Sequence, residues 1–209
     1  EPHAHSINFS RDGKQAFVAD LGTDQIMMYD VDPETASMSP STQPSVKMPA
    51  GGGPRHFALT HTGKIAVSNL ELTSEVALLK YSPDDRTMEL INTVSSLPAG
   101  QAVDGNSTAE CLVHPNDRFA YVSNRGHNSI AIFQIDRAAQ RLSAIGHEST
   151  KGEIPRGFGI DPSGQFLVAA NQKSGNVVVF RIDTQTGTLA PTGSEIKVGT
   201  PVNVRFVSR

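Results

Sequence analysis

Apolar residues in this chain come in short runs, with turn signals between most of them and no helical periodicity over three turns. Four turns recur: Arg11-Asp12-Gly13, His61-Thr62-Gly63, Pro115-Asn116-Asp117 and Pro162-Ser163-Gly164, whose last residues lie 50, 54 and 47 positions apart. After each comes an apolar stretch (17–20, 66–69, 121–124, 168–171) ending in Asp20, Asn69, Asn124 or Asn171. A third stretch follows (26–29, 76–81, 130–135, 177–182), then a polar turn and a weaker fourth stretch. Each unit reads as four short strands in about 50 residues, the signature of a β-propeller blade. A blade cannot bury its faces alone, so its neighbours must supply the core.

The expected fold is therefore all-β: a propeller of four-stranded antiparallel blades, read as one fragment over 1–209. Blades are expected at about 4–50, 54–97, 107–150 and 155–198, with the inner strand of a further blade at 201–208. That last strand lacks partners after it, and the chain opens on a whole blade. The expectation is that roughly three blades, on the order of 150 residues, precede Glu1 in a seven-bladed parent. A four-bladed closed ring is the alternative, and it leaves the last strand unexplained. The first residue is Glu1 rather than Met and no signal-peptide pattern is present, which suits a piece of something longer.

Composition narrows the classes. The 209 residues are 37% apolar and 19% charged with a net charge of −3, which excludes a disordered chain. With 18 Lys+Arg against 21 Asp+Glu there is no basic footprint for nucleic acid. No apolar run approaches the length of a membrane-spanning helix. The single Cys111 can form neither an internal disulfide nor a cysteine-based zinc site. It stands where other units have Phe or Ile, which reads as a buried, inert thiol.

Residues shared by the repeats are structural; those that break the pattern are the candidates for function. The first position of the innermost strand reads His5, Arg55, Ala109, Arg156 and, in the partial unit, Val202. Two residues on come Ile7, Phe57, Cys111, Phe158 and Val204, expected in the core. Just after the second strand, Glu71 and Arg125 break the pattern. Antiparallel pairing brings the end of the second strand to the face where the first begins. His5, Arg55, Glu71, Arg125 and Arg156 should thus converge on one mouth of the central channel. Arginine grips carboxylate or phosphate bidentately and can face an oxyanion. A glutamate can activate water and a histidine can move a proton near neutral pH. The alternative is a structural ion pair of Glu71 with Arg55 or Arg125.

His56 and Glu110 occupy the next strand position and are candidates for a supporting or substrate-binding role, with plain packing as the alternative. His3-Ala4-His5 could be a metal pair, but it lacks a third ligand, and neither metal nor cofactor is expected. The four recurring Asp and Asn residues read as turn hydrogen-bonders. His61 and His114 fall on the opposite, turn face with no chemical role expected. Gly51-Gly52-Gly53 is followed by no helix, so a dinucleotide loop is excluded. The long connection 98–108 is either a lid or a plain surface loop.

The segments Gly53-Pro54-Arg55-His56-Phe57, Asn69-Leu70-Glu71-Leu72, Ser123-Asn124-Arg125, Pro155-Arg156-Gly157-Phe158 and Ala170-Asn171-Gln172-Lys173-Ser174 resemble the seven-bladed lactonase family. That family includes propeller-type bacterial 6-phosphogluconolactonases and the fungal 3-carboxy-cis,cis-muconate lactonising enzyme. The resemblance covers the whole chain but about four-sevenths of a family member. It implies a seven-bladed fold, metal-free chemistry, and an active group of one histidine, two arginines and a glutamate, which by local motif are His5, Arg55, Glu71 and Arg125.

The expected activity is hydrolysis of a small anionic sugar lactone such as 6-phosphogluconolactone. In it the arginines hold the anion and oxyanion, Glu71 activates water and His5 protonates the leaving alkoxide. The rivals are muconate lactonisation at the same residues, a non-catalytic ligand- or partner-binding propeller, and a metal-dependent gluconolactonase-like hydrolase. The partners expected are the lactone and the preceding blades, with neither nucleic acid nor membrane, and a homo-oligomer is left open. The expected compartment is the cytoplasm unless a preceding segment carries an export signal.

Overall fold

The computed structural model describes residues 1–207 and arranges them in four consecutive four-stranded antiparallel sheets, with no helix among the described residues. The first blade comprises β1 (Ala4–Phe9), β2 (Gln15–Asp20), β3 (Gln25–Asp32) and β4 (Ser37–Lys47). The second comprises β5 (Pro54–Leu59), β6 (Ile65–Leu70), β7 (Glu75–Ser82) and β8 (Thr87–Ser95). The third has β9 (Ser107–Val113), β10 (Phe119–Arg125), β11 (Ser129–Asp136) and β12 (Arg141–Ser149). The fourth has β13 (Pro155–Ile160), β14 (Phe166–Asn171), β15 (Asn176–Ile182) and β16 (Leu189–Lys197). In every blade the strands pair in chain order, as up-and-down hairpins require.

Alternation along the middle strands explains how the blades stack. Successive side chains point to opposite faces, so Ala66 packs toward the first blade while Ile65 and Val67 pack toward the third. Three apolar layers result, one per blade interface. Phe17, Met28, Phe57 and Tyr81 anchor the first, and Leu78, Val122 and Phe133 the second. Tyr121, Phe158, Leu167 and Phe180 anchor the third. Each such fully buried large side chain contributes about 2 kcal/mol of burial.

Ile7, expected in the core, is instead 50% exposed. The first blade has a neighbour on one side only among the described residues, so its other face meets solvent. Its counterparts Phe57, Cys111 and Phe158 are all nearly inaccessible. Burial also pushes the Cys111 thiol well above its ordinary pKa, which leaves it protonated and unreactive.

On the turn face, polar bonds fasten each blade to the next. The Arg11 guanidinium donates to the His61 carbonyl. The buried Asp117 carboxylate accepts from the His61 and Thr62 amides at 2.5 and 2.9 Å. His114 accepts the Asn116 amide at Nδ1 and donates from Nε2 to the Gly164 carbonyl at 2.8 Å. The His61 backbone and the His114 ring thus latch neighbouring blades.

The expected strand at 201–208 is not a ladder strand over its described residues 201–207, and Ser208 lies outside the described residues. Among the described residues no second strand is available to pair with it. The segment packs instead against β13, where a side chain at Gly157 or Gly159 would strike residues 202–206. At Gly157 glycine is required by the closeness of the two backbones, whereas at Gly159 the nearest atoms belong to the Val204 and Phe206 side chains.

Candidate active site

The site is built on one backbone irregularity repeated in all four blades. In β1 Ala4 pairs with Asp20 but Ser6 pairs with Ala19, which leaves His5 as the extra residue of a β-bulge. In β5 Pro54 pairs with Leu70 and His56 with Asn69, leaving Arg55. In β13 Pro155 pairs with Asn171 and Gly157 with Ala170, leaving Arg156. In β9, Ala109 and Glu110 together oppose Ser123. A bulge frees a residue from the ladder and re-aims its side chain, which is why bulges gather at active sites.

The amides left over at the bulges are satisfied by side chains. His56 donates its backbone N–H to Asn69 Oδ1 at 3.0 Å, and Glu110 donates its own to Ser123 Oγ at 2.9 Å. Asn69 also donates from Nδ2 to Thr108 Oγ1 at 2.8 Å, tying the second blade to the third beneath the site. The bulge register also corrects the reading of the four Asp and Asn residues. The ladder makes Asp20, Leu70, Asn124 and Asn171 equivalent, with Asn69 one position early. Asn69 is thus a support for the site, whereas Asp20 is a turn bonder, accepting the Gly22 and Thr23 amides. Asn124 and Asn171 hold the carbonyls of Ser96 and Thr150 at the blade connections.

The same register makes Glu71 and Arg125 equivalent positions of adjacent blades, each one step past the second-strand Leu70 or Asn124. Glu71 reaches its place through the glycine loop. The Asp24 carboxylate accepts the amides of Gly51 and Gly53 at 2.7 and 2.8 Å, and Glu71 N–H then donates to the Gly53 carbonyl at 2.8 Å. Gly53 turns into β5 at φ 63°, a left-handed conformation. The equivalent residue before Pro155 is Ile154 at φ 57°, where a side chain costs about 1–2 kcal/mol.

These elements converge on one charged cluster. Glu71 Oε2 lies 2.7 Å from Arg55 Nε, a charge contact without hydrogen-bond alignment. Glu71 Oε1 accepts from Arg125 Nη2 at 2.5 Å. Arg55, 3% exposed, also donates to the Ala109 carbonyl, and Arg125 donates to that of Thr108. Burial, and then the positive charges of Arg125 and Arg156, push the Arg55 pKa down to about 10, which leaves it cationic at neutral pH. Half-buried Arg156 has no hydrogen-bond or ion-pair partner among the described residues, yet lies close enough to lower the pKa of both Arg55 and His5.

His5 packs against His56 with ring centroids 5.3 Å apart and planes tilted 46°. Burial, reinforced by Arg55 and His56, lowers its pKa to about 4. His5 is therefore neutral at physiological pH, a hydrogen-bonding or proton-accepting ring and a poor reservoir of acid. His56 Nδ1 in turn contacts Glu110 Oε1, which also accepts the Cys111 amide at 3.2 Å. An NMR titration should find the His5 ring titrating near pH 4 rather than near 6.5. As pH falls from about 6.5 toward 4 the unfolded chain takes up this proton first, so folding stability should decline across that window. A midpoint near 6.5 would place His5 in open water.

All seven candidate residues thus lie on one face, and five of them make direct polar contacts. Asn69, Ser123 and Asp24 are supports that residue-type matching misses. For Asn69 and Ser123 the signal was indirect, a polar residue in an otherwise apolar strand end, whereas Asp24 stands in the turn before β3. The His3-Ala4-His5 pair falls across the bulge, which breaks the alternation that would align both rings. Among the described residues no three His, Cys, Asp or Glu side chains are grouped to hold a metal ion. The loop before β9 is anchored at its end, where Asn106 bonds Ser74, Asn124 and the His127 amide. A separate cleft of about 510 Å³ lies on the turn face, lined by Lys64, Lys80 and Arg137 among others.

The fold is thus a set of stacked four-stranded propeller blades with a basic, carboxylate-bearing cluster at the start of the inner strands. The model of the seven-bladed β-propeller lactonase family matches residues 1–206, and the chain belongs to that family. It is 39% identical over 199 residues to the 6-phosphogluconolactonase of Formosa agariphila, covering 94% of this chain and 55% of that protein. It is 36% identical over 209 residues to the 6-phosphogluconolactonase of Bacillus subtilis, covering 99% and 58%. Among solved structures, the periplasmic gluconolactonase of Pseudomonas aeruginosa superposes with a TM-score of 0.90 at 32% identity, covering 99% of this chain and 57% of that one. A protein from Lactobacillus plantarum superposes at 0.91, also at 32% identity, covering 99% and 59%. The chain spans little more than half the length of these relatives.

Proposed function

We propose that the natural protein opens a small anionic aldonolactone, 6-phosphogluconolactone or a near relative, at this channel mouth. The relatives named for that reaction support the reading. Within the site, the observation that carries it is the contrast among the arginines. Arg55 and Arg125 are locked by Glu71 and by backbone carbonyls and supply a fixed positive field. Arg156 stands beside them with its guanidinium unspent among the described residues. A phosphate or carboxylate is what such a group grips bidentately. The fixed field favours the oxyanion that forms when water adds to the lactone carbonyl. A phosphorylated substrate points to the cytoplasm; the Pseudomonas neighbour is a periplasmic protein of the same fold.

The test is acid release from 6-phosphogluconolactone and from unphosphorylated gluconolactone by the intact natural protein, measured against spontaneous opening. The expected result is turnover of both, with the lower KM for the phosphorylated substrate. No acceleration of either would remove the lactonase reading. Cyclisation of a carboxymuconate in their place would transfer the site to the lactonising reaction.

A further inference from the structure

Resting on the lactonase reading, we propose that the group that activates water in this site is His56, oriented by the buried carboxylate of Glu110, and that Glu71 has no part in proton transfer.

Glu71 is badly placed for a base. One of its oxygens is 2.7 Å from Arg55 Nε and the other 2.5 Å from Arg125 Nη2. Each oxygen already faces a guanidinium, so a proton placed there would weaken the contacts that hold the buried Arg55 and the partly buried Arg125. Glu71 is the clamp of the arginine field.

His56 has the opposite surroundings. Its Nδ1 faces Glu110 Oε1, and the side chain of Glu110 is only 4% exposed. As acceptors only, the Glu110 oxygens fix the tautomer, with Nδ1–H donating and the Nε2 lone pair outward. Among the described residues Nε2 has no hydrogen-bond partner, and the side chain keeps 19% of its surface exposed. The backbone holds both partners at equivalent bulge positions of adjacent blades, through Asn69 for His56 and Ser123 for Glu110. A carboxylate behind Nδ1 and a free Nε2 in front is the arrangement by which a histidine takes a proton and returns it within one catalytic cycle.

The neighbouring charges fit one imidazolium and no more. Glu110 stands behind His56, and its charge also reaches Arg55. His5, 5.3 Å away, is kept neutral by burial and by Arg55, so a protonated His56 meets no second imidazolium. Arg156 and Glu71 act on the same His5 ring from other blades.

Water oxygen bonds to the lactone carbonyl carbon while His56 Nε2 takes one water proton, and the carbonyl oxygen becomes an oxyanion in the arginine field. The bond from that carbon to the ring oxygen then breaks. His56 returns its proton to the ring oxygen, which leaves as the sugar hydroxyl, and the new acid loses its proton to solvent. Glu110 touches no reacting atom and is a positioning residue.

The test uses the intact protein with His56→Gln, Glu110→Gln and His56→Ala, and reads kcat together with calorimetric binding of the product acid, 6-phosphogluconate. His56→Gln should lower kcat at least 100-fold, the scale of a lost acid–base group. Glu110→Gln should lower it at least tenfold, and both should bind the product within threefold of wild type. Added imidazole should restore part of the His56→Ala turnover in proportion to its free base. Product binding certifies that each variant is folded. The inference is overturned if His56→Gln turns over within threefold of wild type. It is equally overturned if turnover and product binding are lost together in both Gln variants and imidazole restores nothing, which is the pattern of a structural pair. A wild-type protein that opens no lactone would overturn the lactonase reading as well; normal wild-type turnover with an indifferent His56 overturns this inference alone.

Discussion

Glu71→Gln is expected to lower the unfolding free energy by about 3 kcal/mol, the low end for a broken buried pair, because it takes the carboxylate from the buried Arg55 while Glu71 and Arg125 themselves are partly exposed. The side chain keeps its shape, so packing is unchanged and the loss is electrostatic. Arg55, 4% exposed at its side chain, would remain cationic beside Arg125 with no carboxylate between them. Nearly all the cost lies in stranding buried charge, since a pair in water is worth a fraction as much. Urea unfolding of the intact protein checks it. The exposed Lys173–Glu153 pair, with a contact of the same 2.7 Å, is the control, and its loss should not register. A destabilisation below about 1 kcal/mol for Glu71→Gln would mean that water already solvates the cluster, and the fixed arginine field would lose its basis.

Arg156→Gln is expected to do the reverse, changing function and sparing the fold. Arg156 has no ion pair to lose among the described residues, so stability should stay within about 0.5 kcal/mol. If its guanidinium grips the substrate phosphate, KM for 6-phosphogluconolactone should rise at least 100-fold while that for the unphosphorylated lactone rises less than tenfold. A desolvated bidentate contact to phosphate is worth that factor, about 2.7 kcal/mol, and binding equal in ground and transition states appears in KM. Steady-state kinetics on the two lactones give the answer. Equal losses on both would reassign Arg156 to the oxyanion, and no loss on either would take it out of the site.

The blades were legible because their signals are local. A turn tripeptide and a two-residue alternation declare a strand from nearby residues, so the periods of 47 to 54 residues translated directly into sheets. His5, Arg55 and Arg156 were legible as repeat-breaking residues at one strand position. What that position is, a bulge, could not be read, because a bulge belongs to the pairing of two strands and carries no residue type of its own. The same limit explains Asn69. Matching by residue type set it beside Asp20, Asn124 and Asn171, whereas the ladder counts positions and puts Leu70 there. Ile7 was readable as apolar, but its exposure depends on what lies against it. The roles proposed for Glu71 and His56 needed distances: two arginines on one carboxylate, and a carboxylate behind one ring of a histidine pair.

Under the proposed function, substrate binds at the start of the inner strands, with Arg156 on its anion and the His5–His56 pair beside the lactone. A crystal structure of the intact protein with 6-phosphogluconate tests it most directly. The phosphate should lie on Arg156 and the acid carbon beside His56 Nε2. An acid bound instead in the turn-face cleft with Lys64, Lys80 and Arg137, with the channel mouth empty, would contradict it.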